Sequence, residues 1–113
     1  MHELGILSAL VQTVEGILRD EELTEVEKIV IEVGELSGIL PLYLEKCYPA
    51  AVYKTFMEKT ALELVIVPGI VNCRGCGLTF NAAENDLRCP DCGGQNLEIL
   101  SGNDMIVREI VCR

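Results

Sequence analysis

Positive charge, aromatic rings and long apolar runs are all scarce in this sequence. Nine Lys and Arg stand against 18 Asp and Glu, giving a formal charge of −9 over 113 residues. Binding to phosphate backbones depends on clustered cations. Stacking on bases needs aromatic platforms, and aromatics make up only 4% of the chain. Nucleic acid is therefore not expected as a partner. Membrane insertion is not expected either, since no apolar run approaches the ~18 residues of a bilayer span. The uncharged stretch of residues 64–73 is broken by Pro68 and Gly69. The opening Met1-His2-Glu3 lacks the basic start and small-residue cleavage site of a secretory signal, so the expected compartment is the cytoplasm. Histidine occurs once. No nucleophile–base pair or acid–base constellation can be assembled, and an enzyme is not expected.

What is present suggests one compact body with a small appendage. Leu7, Leu10, Val11, Val14, Ile17 and Leu18 recur at the spacing of one helical face. The acidic stretch Asp20-Glu21-Glu22 ends that pattern and reads as a solvated face. Ile29, Ile31 and Val33 alternate with Lys28, Val30 and Glu32 before Gly34, the pattern of a short strand. Gly34-Glu35 and the nearby carboxylates read as strand-end surface residues. Residues 41–59 are predicted as a second helix, with Pro41 in its first turn. Leu44, Cys47, Tyr48, Ala51 and Val52 form its apolar stripe, and Pro49 should kink or split it. A second strand follows at residues 62–67 and a third at 105–112. The faces of the third cannot be assigned from alternation, because the adjacent Arg108 and Glu109 spoil both stripes.

The expected fold class is α+β: a small three-stranded sheet with two helices, plus an inserted four-cysteine zinc-ribbon domain. The expected division is residues 1–69 with 103–113 as a discontinuous α/β domain, and 70–102 as the ribbon. If the last strand pairs with the first two, both ends of the insert are anchored to one sheet.

Residues 72–100 hold four of the six cysteines and few hydrophobic residues, so this piece needs a staple other than a core. Cys73-Arg-Gly-Cys76 and Cys89-Pro-Asp-Cys92 are two Cys-x-x-Cys pairs, twelve residues apart. Each pair can form a knuckle with two thiolates aimed at one ion, and two knuckles close a tetrahedral site. Gly77 and Gly93 follow the pairs, where a knuckle backbone often needs positive φ. A closed site has no open coordination position, so the expected ion is a structural Zn(II) at Cys73, Cys76, Cys89 and Cys92. In a reducing compartment two disulfides are disfavoured. A rubredoxin-like iron site is the rival, but that fold surrounds its iron with aromatics and only Phe80 lies nearby. Cys47 and Cys112 sit in apolar elements and read as small buried hydrophobes.

The single histidine directly follows the first methionine. A bulky second residue should leave Met1 in place. The α-amine, the His2 backbone nitrogen and the imidazole can then occupy three corners of a plane, with the Glu3 backbone nitrogen or another donor as fourth. Square-planar nitrogen sites suit nickel(II) or copper(II). The competing reading is a zinc-ribbon interaction or regulatory module in which His2 has no metal role.

Met1-His2-Glu3-Leu4 opening a helix, Val33-Gly34-Glu35-Leu36-Ser37-Gly38 closing a strand, and the two cysteine pairs resemble the HypA/HybF family of nickel metallochaperones. The resemblance covers essentially the whole chain. It implies an accessory factor that carries Ni(II) as transient cargo during maturation of nickel–iron hydrogenase. Met1, His2 and Glu3 would be the nickel residues, and Cys73, Cys76, Cys89 and Cys92 the zinc ligands. The implied partners are a HypB-type GTPase and the hydrogenase large-subunit precursor, with a second copy of the chain as a further candidate. Two features depart from the family pattern: no histidine flanks the cysteine pairs, and Pro49 interrupts the second helix.

Overall fold

The computed structural model describes residues 3–22 and 25–112. Met1 and His2, two of the three expected nickel residues, lie outside the described residues.

Helix α1 spans Glu3–Asp20 and buries Leu7, Leu10, Val11, Val14 and Leu18. Ile17, expected in the same stripe, is 40% exposed because it lies at the stripe's edge on the helical wheel. Strand β1, Val26–Gly34, turns Ile29, Ile31 and Val33 into the core. Helix α2, Pro41–Val52, crosses to β2, Ala61–Val67, which runs parallel to β1 with Ile29 opposite Leu62 and Ile31 opposite Leu64. Strand β6, Met105–Cys112, closes the sheet antiparallel to β1, giving the order β2-β1-β6. The last strand thus pairs with the first alone, and β1 is central. Both helices pack on one face, around a core that also holds Leu44, Tyr48, Val52 and Met57.

The second helix is shorter than the expected residues 41–59. It passes through Pro49 and stops at Val52, within one turn. Pro49 has no N–H for the preceding turn, and Tyr53 leaves the helix with extended backbone. Turns replace the helix from there to residue 59. The Thr55 hydroxyl donates to the Val52 carbonyl (2.7 Å) and accepts from the Met57 amide (3.1 Å). This folds Met57 completely into the core.

Register accounts for the unassignable faces of β6. Glu109 lies opposite Val30 and Val107 opposite Ile31, so Arg108 is an extra residue in the ladder. A bulge lets two consecutive residues share one face. Val107 and Ile110 stay in phase with β1's core side, while Arg108 reaches Glu32 on the open face (3.6 Å). A second slip at Glu27 brings Val26 into the core, although its parity matches Lys28 and Val30.

The cysteine segment leaves the end of this layer as a second antiparallel sheet, β4-β3-β5. Its strands are Ile70–Cys73 (β3), Thr79–Asn81 (β4) and Leu97–Ile99 (β5). Its connections to the layer run side by side past the end of β1. The Gly34 amide donates to the Asp104 carbonyl (2.9 Å), Glu35 to Val67 (2.9 Å) and Leu36 to Gly102 (2.7 Å). A Cβ at Gly34 would collide with the Gly102 backbone, so this crossing demands glycine. The molecule is elongated, 54 × 25 × 17 Å. No helix of the described residues is long and apolar enough to cross a membrane.

Candidate metal centres

The two Cys-x-x-Cys turns fold as near copies. The Gly77 amide donates to the Cys73 carbonyl (2.7 Å) and the Gly93 amide to the Cys89 carbonyl (2.9 Å). Each glycine has positive φ, +84° and +73°, as their places after the pairs predicted. β3 delivers Cys73 directly, and the Cys89 turn is held against it by backbone bonds such as Arg74 N–H to Asn96 O (2.9 Å).

The four sulfurs all lie within 4.8 Å of one another. Cys73 Sγ is 3.5 Å from Cys92 Sγ, and Cys76 Sγ is 3.4 Å from Cys89 Sγ. Corners of a tetrahedron ~2.3 Å from its centre stand ~3.8 Å apart, so the quartet fits one ion. Cys73 and Cys89 are buried while Cys76 and Cys92 face outward. Their acidities divide the same way. The Cys76 amide, aided by other donors, draws the Cys73 thiol down to about 7. The Cys92 amide likewise lowers Cys89. The Leu78 amide pulls Cys76 downward, but the Cys89 sulfur, desolvation and the other sulfurs push it up to about 12. At Cys92 the Gly94 amide is likewise outweighed, chiefly by the Cys73 sulfur, and the thiol rises. Sulfurs this close cannot all ionise without a cation among them. Phe80, in β4, is the one aromatic residue of the ribbon.

The other expected site begins at Glu3, the first residue of α1. Glu3 precedes Leu7, Leu10 and Val14 by four, seven and eleven residues, so the helix turns it onto their buried face. It is only 5% exposed, and its Oε2 has no hydrogen-bond partner among the described residues. A buried oxygen without a partner is costly. Sequence reading placed Glu3 at the site through its backbone nitrogen and by resemblance. The signal for its buried carboxylate was the helical spacing to Leu7. Of the expected site residues, the structure brings the four cysteines together, places Glu3 inside the domain end, and leaves Met1 and His2 undescribed.

A four-cysteine cluster on a ribbon, joined to a two-layer α+β body whose Glu3 Oε2 has no partner among the described residues, is the donor set of a small metal-handling protein. Comparisons with known proteins give the family. The family model described as "Hydrogenase/urease nickel incorporation, metallochaperone, hypA" matches residues 1–112. Curated relatives named hydrogenase maturation factor HypA include that of Rhodopseudomonas palustris (strain TIE-1), 29% identical over 97% of both chains. Another, from Dechloromonas aromatica (strain RCB), is 33% identical, again over 97% of both. The solution structure of the nickel metallochaperone HypA from Helicobacter pylori has the same fold. It is 21% identical, with a TM-score of 0.68 over 99% of this chain and 97% of that one. A second solution structure of a HypA protein gives 0.70 at the same identity. The chain belongs to the HypA family: it is a metallochaperone of hydrogenase nickel incorporation, not an enzyme.

Proposed function

We propose that the two donor sets divide the work, with Met1, His2 and Glu3 handling nickel and Cys73, Cys76, Cys89 and Cys92 holding a structural Zn(II). The corresponding units are residues 1–69 with 103–113, and 70–102. The observation that carries the nickel half is the buried Glu3 carboxylate oxygen, which has no partner among the described residues and lies one residue from the chain's single histidine. Amine, imidazole and backbone nitrogen are donors suited to nickel(II), and the Glu3 oxygen adds a further donor fixed by the helix. A site on a chain terminus can be peeled open, which suits release as well as capture. For the ribbon, four thiolates form a closed set preferred by zinc, and the aromatic shelter of a rubredoxin iron is absent. Zinc there would supply the cross-link that so small a sheet needs to stay folded.

The delivery reading places the protein in the cytoplasm, where a HypB-type GTPase and the nickel–iron hydrogenase large-subunit precursor are its partners. A second copy of the chain is a further candidate partner. The test is calorimetric titration of Ni(II) into a chain that starts at Met1, a chain carrying one extra residue ahead of Met1, and His2→Ala. Both alterations are expected to weaken nickel binding to a similar degree. Equal affinity of all three chains rules out the terminal site.

A further inference from the structure

We infer that Glu35 is a positioning residue: its carboxylate locks the cysteine ribbon to the end of the α/β layer that carries the N-terminus. One oxygen, Glu35 Oε1, accepts the Gly69 amide at 2.8 Å and the Asn81 side-chain amide at 3.0 Å. Gly69 lies in the connection entering the ribbon, and Asn81 closes β4 inside it. Glu35 itself directly follows β1. A single side chain thus bridges the layer, the connection and the ribbon sheet. Its ionised form is favoured, first by the Gly69 amide and then by Asn81.

The surroundings make this a joint, not a tether. Leu36 packs on Gly69, the Gly102 backbone lies against Gly34, and the Ser101 hydroxyl ties the second connection to the Pro68 carbonyl at 2.9 Å. Backbone bonds hold the connections to β1's end, and the Ala82 amide donates to the Gly69 carbonyl (2.9 Å) where β4 ends. The bond from Glu35 to Asn81 joins the layer itself to the ribbon sheet at β4, so it opposes rotation of the ribbon about its connections. Chain direction gives the joint its meaning. The short link from α1 to β1 runs them antiparallel, so Glu3 and the end of β1 share one end of the layer. Glu3 and the ribbon therefore keep a fixed relation, and a partner gripping the ribbon meets the start of α1 in one geometry. This last step rests on the nickel reading above; the joint does not.

The experiment compares amide ¹⁵N relaxation of the zinc-loaded full chain with that of Glu35→Ala, Glu35→Gln and Asn81→Asp. In the wild type, amides of both sheets should report one tumbling time. Glu35→Ala should lower the ratio of transverse to longitudinal relaxation rates by about twofold for β3–β5 relative to β1 and β2. Glu35→Gln keeps the accepting oxygen and should restore the wild-type pattern. Asn81→Asp removes the donor while keeping the acceptor that caps Glu84 (3.0 Å); it should behave like Glu35→Ala, and serves as the readout if that variant fails to fold. Uniform tumbling in either disrupted variant, or a glutamine variant as loose as the alanine one, overturns the inference. A second arm measures nickel binding and nickel transfer to the hydrogenase precursor. Glu35→Ala should leave affinity unchanged and slow transfer severalfold. If transfer proceeds at the wild-type rate with a loosened ribbon, the positioning role is overturned. A wild-type chain that binds no nickel would sink the functional reading and leave the relaxation result standing.

Discussion

Tyr48 shows how one polar atom organises an apolar face. Its ring sits in the core, and its hydroxyl donates to the Thr60 carbonyl at 2.9 Å. The Thr60 hydroxyl in turn donates to the Val26 carbonyl at 2.7 Å. This relay links α2, the turn before β2 and the start of β1, and it accompanies the slip that brings Val26 inward. Burial pushes the Tyr48 phenol up to about 12 from the usual 10. Above pH 10 the unfolded chain therefore sheds this proton while the folded chain keeps it, so stability falls as pH rises from 10 to about 12. The loss is on the order of 2 kcal/mol at most. Tyr48→Phe is expected to cost ~1 kcal/mol at neutral pH, through the lost bond to Thr60. It should also flatten the alkaline decline, which urea unfolding at pH 7 to 12 would show. An equally steep decline in the phenylalanine variant would assign the alkaline loss to other groups. The ring's burial was legible from its place between Leu44 and Val52. Its hydroxyl's partner was not, because Thr60 follows a turn that residue pattern alone made helical.

Elements were legible where one period ran unbroken, as in α1 and the middle of β1. They were not where the chain departs from periodicity to keep its core in phase. Strand β6 is the clearer example: Arg108 and Glu109 both face away from the helices because the bulge absorbs one residue. Cys47 and Cys112, expected to be buried, are half-buried at the core's margin. The bulge also bends an edge strand that would otherwise offer a regular ladder to other chains. It makes a sharp distinction between deletions. Removing Arg108 leaves Val107, Glu109 and Ile110 in regular alternation. The cost should be limited to the exposed ion pair with Glu32, below about 1 kcal/mol. Removing Val107 instead puts Arg108 opposite Ile31 on the helix side, at a position that is 36% exposed. Its charge can still reach water, so the cost should be the lost packing of Val107, about 1–2 kcal/mol beyond that of the Arg108 deletion. Thermal unfolding of the two deletions decides it, and equal loss in both would show that the bulge does not hold the phase.

At the scale of the molecule, two sheets lie end to end and share a joint of backbone and one carboxylate, with separate interiors. The cysteine quartet was legible from spacing alone, since four thiols within 29 residues of sparse apolar content need an ion. The joint was not: Gly34-Glu35 read as strand-end surface, because nothing local reveals that residues 69, 81 and 102 return to that point. Separate interiors imply separate stabilities. The layer's core draws on α1, α2 and β1, whereas the ribbon buries little beyond Val71, Ala82, Cys73 and Cys89. Metal at the sulfurs should therefore carry most of the ribbon's folding energy. Because protons compete for those sulfurs, metal affinity should weaken as pH falls through the range their acidities span, from about 12 at Cys76 to about 7 at Cys73. Cys73→Ser removes a buried ligand. It is expected to abolish amide-exchange protection in β3–β5 while β1, β2 and β6 stay protected. Nickel titration of the same variant should retain the wild-type stoichiometry of terminal binding, because Glu3 and the core that positions it lie in the other sheet's layer. Loss of protection across both sheets, or of zinc and nickel together, would show that the two centres form one folding unit.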